Sequence, residues 1–316
     1  MPCNEDFFNE SAGKYGLLDD KILSNGSYKL SRWRKDPFGI RLYRNKEYKG
    51  EFTSKNAAVF LTCNKDETAI QKLEKNSIDM AFIDSALEND ALSLNLNVEK
   101  FENICWVMTL SNDFTPEMRK ALNMLVGGEV FSKSLSTGYT TATSVFPSIF
   151  GEQITPQGLT VYNAEKAKEL YLKEIEKLTD KKFPTDVILY FYDDGYVKNV
   201  ITDIVGHWQS NLSAFVNIET VSSPDVLQTQ LTEQTYKMCI FPVSAESPAL
   251  ADYLKKFGIV YNNESLENIQ KELLQTNNII PIMFQTTDIA YSKALTNVHT
   301  ELGNGYIDFS FIIKQE

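Results

Sequence analysis

A chain of 316 residues with 43% hydrophobic and 23% charged side chains has a globular composition and room for one large α/β domain or two ordinary ones. Its 31 basic and 42 acidic side chains leave a net charge of −11, which argues against nucleic-acid binding and against attachment to anionic lipid, since both need clustered cations. No stretch reaches the about 18 uninterrupted apolar residues of a membrane span, so no direct membrane insertion is expected, and the N-terminus has neither the basic nor the apolar region of a signal peptide.

Residues 7–15 carry aromatic side chains at helical spacing, with Gly16 as a stop. Leu23-Ser24-Asn25-Gly26-Ser27-Tyr28 reads as a turn, because Asn-Gly tolerates positive φ. Two runs of period two, 28–33 and 40–44, joined by Asp36-Pro37-Phe38-Gly39, predict a hairpin. Its cations Arg32, Arg34, Lys35, Arg41 and Arg44 interleave with Trp33 and Tyr43, which resembles RNA-binding strands; on so acidic a chain, the solvated face of a hairpin is the simpler reading. Next come an apolar run at 57–62, a helical pattern at 66–75 capped by Thr68 or Asp66, and a second apolar run at 78–83. Strand, helix and strand within about 30 residues predict a βαβ unit with parallel pairing.

A strand at 105–110 leads to a helix opened by Thr115 as N-cap and Pro116 at its first position. That helix runs towards Gly127-Gly128, which lack the Lys-Ser/Thr of a phosphate loop and read as a C-cap or kink. Residues 134–156 are rich in Ser, Thr, Gly and Pro and predict a long loop. Asn163 caps a helix over 163–178, and Pro184 breaks the chain before a strand at 187–192 and the turn Asp193-Asp194-Gly195, which lacks the other ligands of a calcium loop. A helix at 198–210, a strand at 215–220, a helix at 224–234 and a strand at 237–243 complete a second β-α-β-α-β series, and so predict a second lobe. The end holds a helix at 265–275, a strand at 279–284 and extended segments at 291–298 and 306–313.

Reactive groups are few. The two histidines, His207 and His299, read as packed or surface residues. Of the cysteines Cys3, Cys63, Cys105 and Cys239, no two have zinc-site spacing; they read as free and mostly buried, although four thiols allow three disulfide pairings that spacing does not decide. No nucleophile–base signature stands in a plausible context, so no catalytic residue, metal ligand or cofactor is nominated and no enzyme is expected.

Several phrases in order resemble one family. They are Pro2-x-Asn4-Glu5-x-Phe7-Phe8, Gly13-Lys14-Tyr15-Gly16, the run from Leu23 to Tyr28 followed by Leu30 and Trp33, and Asn45-Lys46-Glu47-Tyr48. Asn76-Ser77-Ile78-Asp79-Met80, Met118-Arg119-Lys120-Ala121-Leu122-Asn123, Tyr162-Asn163-Ala164-Glu165-Lys166-Ala167-Lys168-Glu169-Leu170 and the block 189–219 follow. Each is weak alone; in this order, over residues 2 to 245, they resemble the oligopeptide/dipeptide/nickel-binding solute-binding proteins of ABC importers.

The resemblance implies an α/β, two-lobed periplasmic-binding-protein-like fold with a hinge of crossover strands near 106–110 and 283–286 and a ligand held in the cleft. Lobe I would comprise 1–108, completed by 286–316, and lobe II 109–285. Family members are longer and lie behind a signal peptide, often with a lipidated cysteine, so the chain is expected to be truncated at its N-terminus with its first lobe incomplete. It would act outside the cytoplasm, with a peptide as ligand and the importer's membrane permease subunits as partners. A binding protein repurposed for partner interaction or sensing is the alternative. The family's "gW.aDy.dP" segment offers main-chain hydrogen bonds and an Asp for the peptide ammonium; here Val243 stands at the Trp, Ala245 follows, and Glu246 stands at the Asp. Phe82, Ile83 and Asp84 are expected to form an apolar wall with one charge, with Tyr139 and Phe146 as weaker candidates.

Overall fold

The computed structural model describes residues 4–17, 21–31, 39–50, 54–62, 68–150, 158–193, 195–228, 233, 236–245, 249–298, 300–301, 306–307 and 311–315. In chain order the elements are α1 (Glu5–Glu10), β1 (Tyr28–Ser31), β2 (Gly39–Arg44), β3 (Ala58–Thr62), α2 (Ala69–Glu74), β4 (Met80–Ile83), α3 (Glu88–Ser93), β5 (Asn97–Leu110), α4 (Pro116–Asn123), α5 (Gly128–Phe131) and β6 (Tyr139–Thr141). There follow α6 (Ala164–Ile175), β7 (Ile188–Tyr192), α7 (Val197–Leu212), β8 (Asn217–Val221), α8 (Pro224–Gln228), β9 (Met238–Ser244), α9 (Leu250–Lys255), α10 (Leu266–Gln275), β10 (Ile279–Tyr291), β11 (Leu295–Thr296), β12 (Thr300–Glu301), β13 (Tyr306–Ile307) and β14 (Ile313–Lys314). The chain divides into a first unit of 1–99, 288–301 and 305–316 and a second of 100–287 and 302–304, so the division falls within β5 and within β10.

In the first unit β1, β2 and β3 form an antiparallel sheet, with Leu30 opposite Leu42 and Leu42 opposite Val59. The expected hairpin is present; its connection, residues 32–38, lies outside the described residues. The expected βαβ unit is not. β3 pairs with β2, whereas β4 pairs antiparallel with the Asp288–Tyr291 end of β10. The reason is in the alternation: Val59 and Leu61 are half-buried while Phe60 is 55% exposed beside Tyr43, with the Arg41 guanidinium 5.2 Å from its ring centre, so β3 is a one-sided strand. Thr68 caps α2 through a reciprocal capping box with Gln71, as its sequence position predicts. Leu73, Ala91 and Ala290 form a small core with Ile70, Ile78, Ala81, Ile83, Leu96 and Val98 packed on it.

The second unit is a sheet in the order β10-β5-β9-β7-β8 with helices on both faces. Strand alternation decides which side chain joins which core. Trp106, Met108, Leu189, Phe191, Met238 and Ile240 face α4, α6 and α7; Cys105, Val107, Cys239, Phe241 and Val243 face α8, α9 and α10. Trp208 of α7 is fully buried in the first core, and its indole N–H donates to the Leu122 carbonyl at 2.9 Å, so its apolar body and polar edge are both accommodated. The series β7-α7-β8-α8-β9 is present, with β7 parallel to both β8 and β9.

Local signals hold at the helix starts. Thr115 accepts from the Met118 amide with Pro116 at the first helical position, Asn163 accepts from the Lys166 amide, and Ser265 from the Asn268 amide. Two expectations are corrected. Gly127 is neither a C-cap nor a kink: α4 ends at Asn123 with Met124 as its C-cap, and Gly127, extended, precedes α5, where a Cβ would approach Glu129 Oε2 to 2.5 Å. Nor is 134–150 simply loop, since β6 pairs with β10, and Ser144, Val145 and Phe146 are buried. The buried Gln270 Oε1 accepts from the Val145 amide and the Ser144 hydroxyl, and Tyr253 donates to the Val145 carbonyl, so side chains satisfy this backbone where no ladder does.

α4 and α6 are tied by Glu174, buried on α6, which accepts from the Thr115 hydroxyl at 2.7 Å and pairs with Lys177. Lys177 first, then Thr115, hold its carboxyl below the ordinary glutamate range. A depressed folded-state pKa contributes stability above the unfolded value of about 4.3, and that contribution is lost as pH falls through the folded value. Urea midpoints of wild type and Glu174→Gln should therefore converge between pH 7 and pH 3; a constant gap would refute this role.

Candidate functional site

From β7 the chain winds through α7 to β8, then returns through α8 past β7 to β9, so the winding reverses at β7. In open α/β sheets ligands bind beyond the carboxyl ends of the strands at such a reversal. Here those ends are unequal. β9 pairs with β7 only from Met238 to Ile240, whereas its pairing with β5 continues to Ser244. One edge of the last part of β9 thus has no strand partner among the described residues.

Which backbone groups point to that edge follows from the ladder. The Ala245 amide donates to the Asn103 carbonyl at 2.8 Å and the Ser111 amide to the Lys237 carbonyl at 2.9 Å, so odd-numbered residues of β9 spend their main chain on β5. Even-numbered residues point the other way: Met238 and Ile240 towards β7, Pro242 and Ser244 into the open edge. Pro242 has no N–H to leave unpaired, which is why a proline is tolerated inside this strand. The edge therefore offers the Pro242 carbonyl and both main-chain groups of Ser244, and Lys256, half-buried at the end of α9, donates from Nζ to the Ser244 carbonyl at 2.9 Å.

Val243 and Ala245 lie on the same strand end with opposite parity. Their side chains are buried in the core that includes Tyr253 and Leu254, and their main chain serves β5. Glu246 opens the stretch 246–248, outside the described residues. Phe82, Ile83 and Asp84 belong to the first unit. Phe82 is 49% exposed on β4, Ile83 packs against the small core, and Asp84 Oδ1 accepts from the Ala86 amide at 2.9 Å, capping a short 3-10 turn. Tyr139 stands with its ring centre 5.8 Å from that of Tyr196, and Phe146 is buried against Phe150 and Tyr253. Pro242, Ser244 and Lys256 were not singled out from the sequence. The proline inside an apolar strand was the available signal, because a strand proline marks an edge.

The chemistry available is recognition by main chain. Burial pushes the Cys239 thiol up to about 12 and the Cys105 thiol well above its ordinary range, so neither offers a thiolate. Cys3, Cys63 and His299 lie outside the described residues, and His207 packs its ring edge-on to Tyr162 at 6.3 Å. Among the described residues no group of three His, Cys, Asp or Glu side chains could hold a metal ion, and no helix is long and apolar enough to cross a membrane.

The family model described as bacterial extracellular solute-binding proteins, family 5 middle, matches residues 2–285. No curated protein matches the chain. Among solved structures, the chain is similar to OppA of Listeria monocytogenes bound to peptide, at 14% identity and TM-score 0.64, covering 100% of this chain and 69% of that one. The ABC transporter substrate-binding protein CtaP of the same organism gives 16% identity and TM-score 0.71, over 100% and 72%. The substrate-binding domain of an oligopeptide ABC transporter from Bacillus anthracis gives 17% and 0.63, over 100% and 70%. At these identities the likeness carries the fold, the α/β architecture of periplasmic-binding-protein-like solute-binding proteins.

The ladder parity makes its own prediction. In the free protein the Ser244 amide should exchange with deuterium far faster than those of Val243 and Ala245 on either side, measured residue by residue by NMR. Equal protection of all three would contradict the open edge.

Proposed function

The chain belongs to the family 5 bacterial extracellular solute-binding proteins, and from that premise we propose that it is the peptide-binding component of an ABC importer, acting outside the cytoplasm and delivering its ligand to membrane permease subunits. The observation that carries the peptide assignment is the open edge of β9 at Pro242 and Ser244. A strand edge that presents main-chain groups recognises an extended peptide by strand addition, with affinity from backbone hydrogen bonds whatever the side chains. A peptide running antiparallel to β9 can exchange two bonds with Ser244 and donate a third to the Pro242 carbonyl. Its N-terminus then lies at the Ser244 end of the edge, and Glu246, two residues on in the sequence, is the carboxylate we assign to the peptide ammonium. Val243 and Ala245 contribute by holding the strand to β5 and to the core beneath it rather than by touching ligand. In the first unit, Phe82 is the assigned apolar contact, with Ile83 and the Asp84 cap fixing the end of β4 that carries it.

The peptide-bound state of the Listeria protein supports the ligand class, and the solute-binding character of the family and its fold relatives supports a non-enzymatic role. Thermal unfolding against a library of dipeptides and longer peptides tests it. A true ligand at a hundredfold excess over Kd should add about 2.7 kcal/mol to the unfolding free energy, a rise of about 4 °C in Tm for a chain of 316 residues. No shift with any peptide would overturn the assignment.

A further inference from the structure

The Ser244 carbonyl faces the open edge of β9 by ladder parity, yet Lys256 already donates to it at 2.9 Å. Lys256 reaches it from the residue that closes α9, and α9 is anchored by Tyr253 and Leu254, both fully buried. The lysine is thus held where its ammonium lies on the acceptor that an incoming strand would use. Resting on the peptide-binding reading above, we propose that Lys256 is an internal surrogate for the ligand's donor end, a latch that a peptide must displace, and so a determinant of affinity and of which peptides bind.

Three bonds are open to a strand arriving antiparallel: from the Ser244 amide, to the Ser244 carbonyl, and to the Pro242 carbonyl. Pro242 has no amide to offer a fourth. Lys256 sits on the second of the three, with a charge-assisted bond, whereas a peptide N–H brings a neutral one. Displacing the lysine exchanges the stronger donor for the weaker, and the same ammonium lies at the Ser244 end of the edge, towards which the N-terminus of an antiparallel peptide runs. Both effects oppose a ligand at this rung, and removing the lysine side chain beyond its methylenes relieves both.

Lys256→Met keeps the apolar stem and removes the donor. Isothermal titration of wild type and variant with the best peptide of the thermal-shift library should show binding tightened about 2–10-fold in the variant, the worth of one released hydrogen bond. Lys256→Gln, which keeps a neutral donor, should fall between the two. An N-methyl scan along the peptide locates the rung: at one position methylation should cancel the gain of Lys256→Met while costing wild type little. Unchanged or weaker binding by Lys256→Met, or a gain that no N-methyl position cancels, would overturn the latch while leaving peptide binding in place. Failure of all three proteins to bind any peptide would instead remove the peptide reading, and the latch with it.

Discussion

The hydrogen-bond parity of β9 against β5 is the constraint on which the rest depends. Because Ala245 and Lys237 both bond to β5, every odd residue between them is committed inward and every even one outward. A shift of one residue would turn Val243 and Phe241 to the opposite face of the sheet, away from the side chains they pack with, and send Pro242 into the ladder, where its missing N–H would leave a β5 carbonyl unpaired. The core and the proline therefore enforce the same register. The open edge is a consequence: β7 stops three residues short of the end of β9, and the groups it leaves uncovered are those of Pro242 and Ser244.

That register is held from both sides of the sheet. On one face Trp208 fills the space between α7 and α4, and on the other Tyr253 reaches across to the Val145 carbonyl. Two fully buried aromatics whose polar ends are satisfied give the second unit a packed core on each face, the kind of rigid support that lets a short strand end with one unpaired edge keep its geometry. Lys256 borrows the same support, since it caps the helix that the buried pair Tyr253 and Leu254 anchors. A strand edge bare of any partner is also a hazard for association with another chain. Holding the Ser244 carbonyl with a lysine is one way to shield it.

Much of this architecture was legible in the residues, and the exceptions have physical causes. The β7-α7-β8-α8-β9 series shows in its apolar periods, and Thr115-Pro116, Asn163 and Ser265 mark helix starts because capping is local chemistry. The parallel unit expected at 57–83 fails because an apolar run does not say which strand it will pair with. The sequence 58–62 suits a one-sided antiparallel strand equally well, and Phe60 outside settles the matter. β5 and β10 extend well past the runs that announced them, since 97–104 and 285–291 mix polar and apolar residues that only their partners make into strand. The site divides in the same way. The segment at β9 carries the resemblance, but position along the chain does not say which of its alternate residues bond to β5 and which turn to the other edge; only the ladder does. Lys256 is not legible in the residues, because it meets Ser244 from twelve positions further on, outside any periodicity of strand or helix.

Peptide addition to the β9 edge is tested most directly by following the Ser244 amide during titration with a bound peptide. The account predicts that exchange at Ser244 slows to the level of its neighbours as the peptide saturates, and that its amide proton shifts downfield, while Val243 and Ala245 change little. Saturable peptide binding that leaves the Ser244 amide exchanging at its free rate would contradict it.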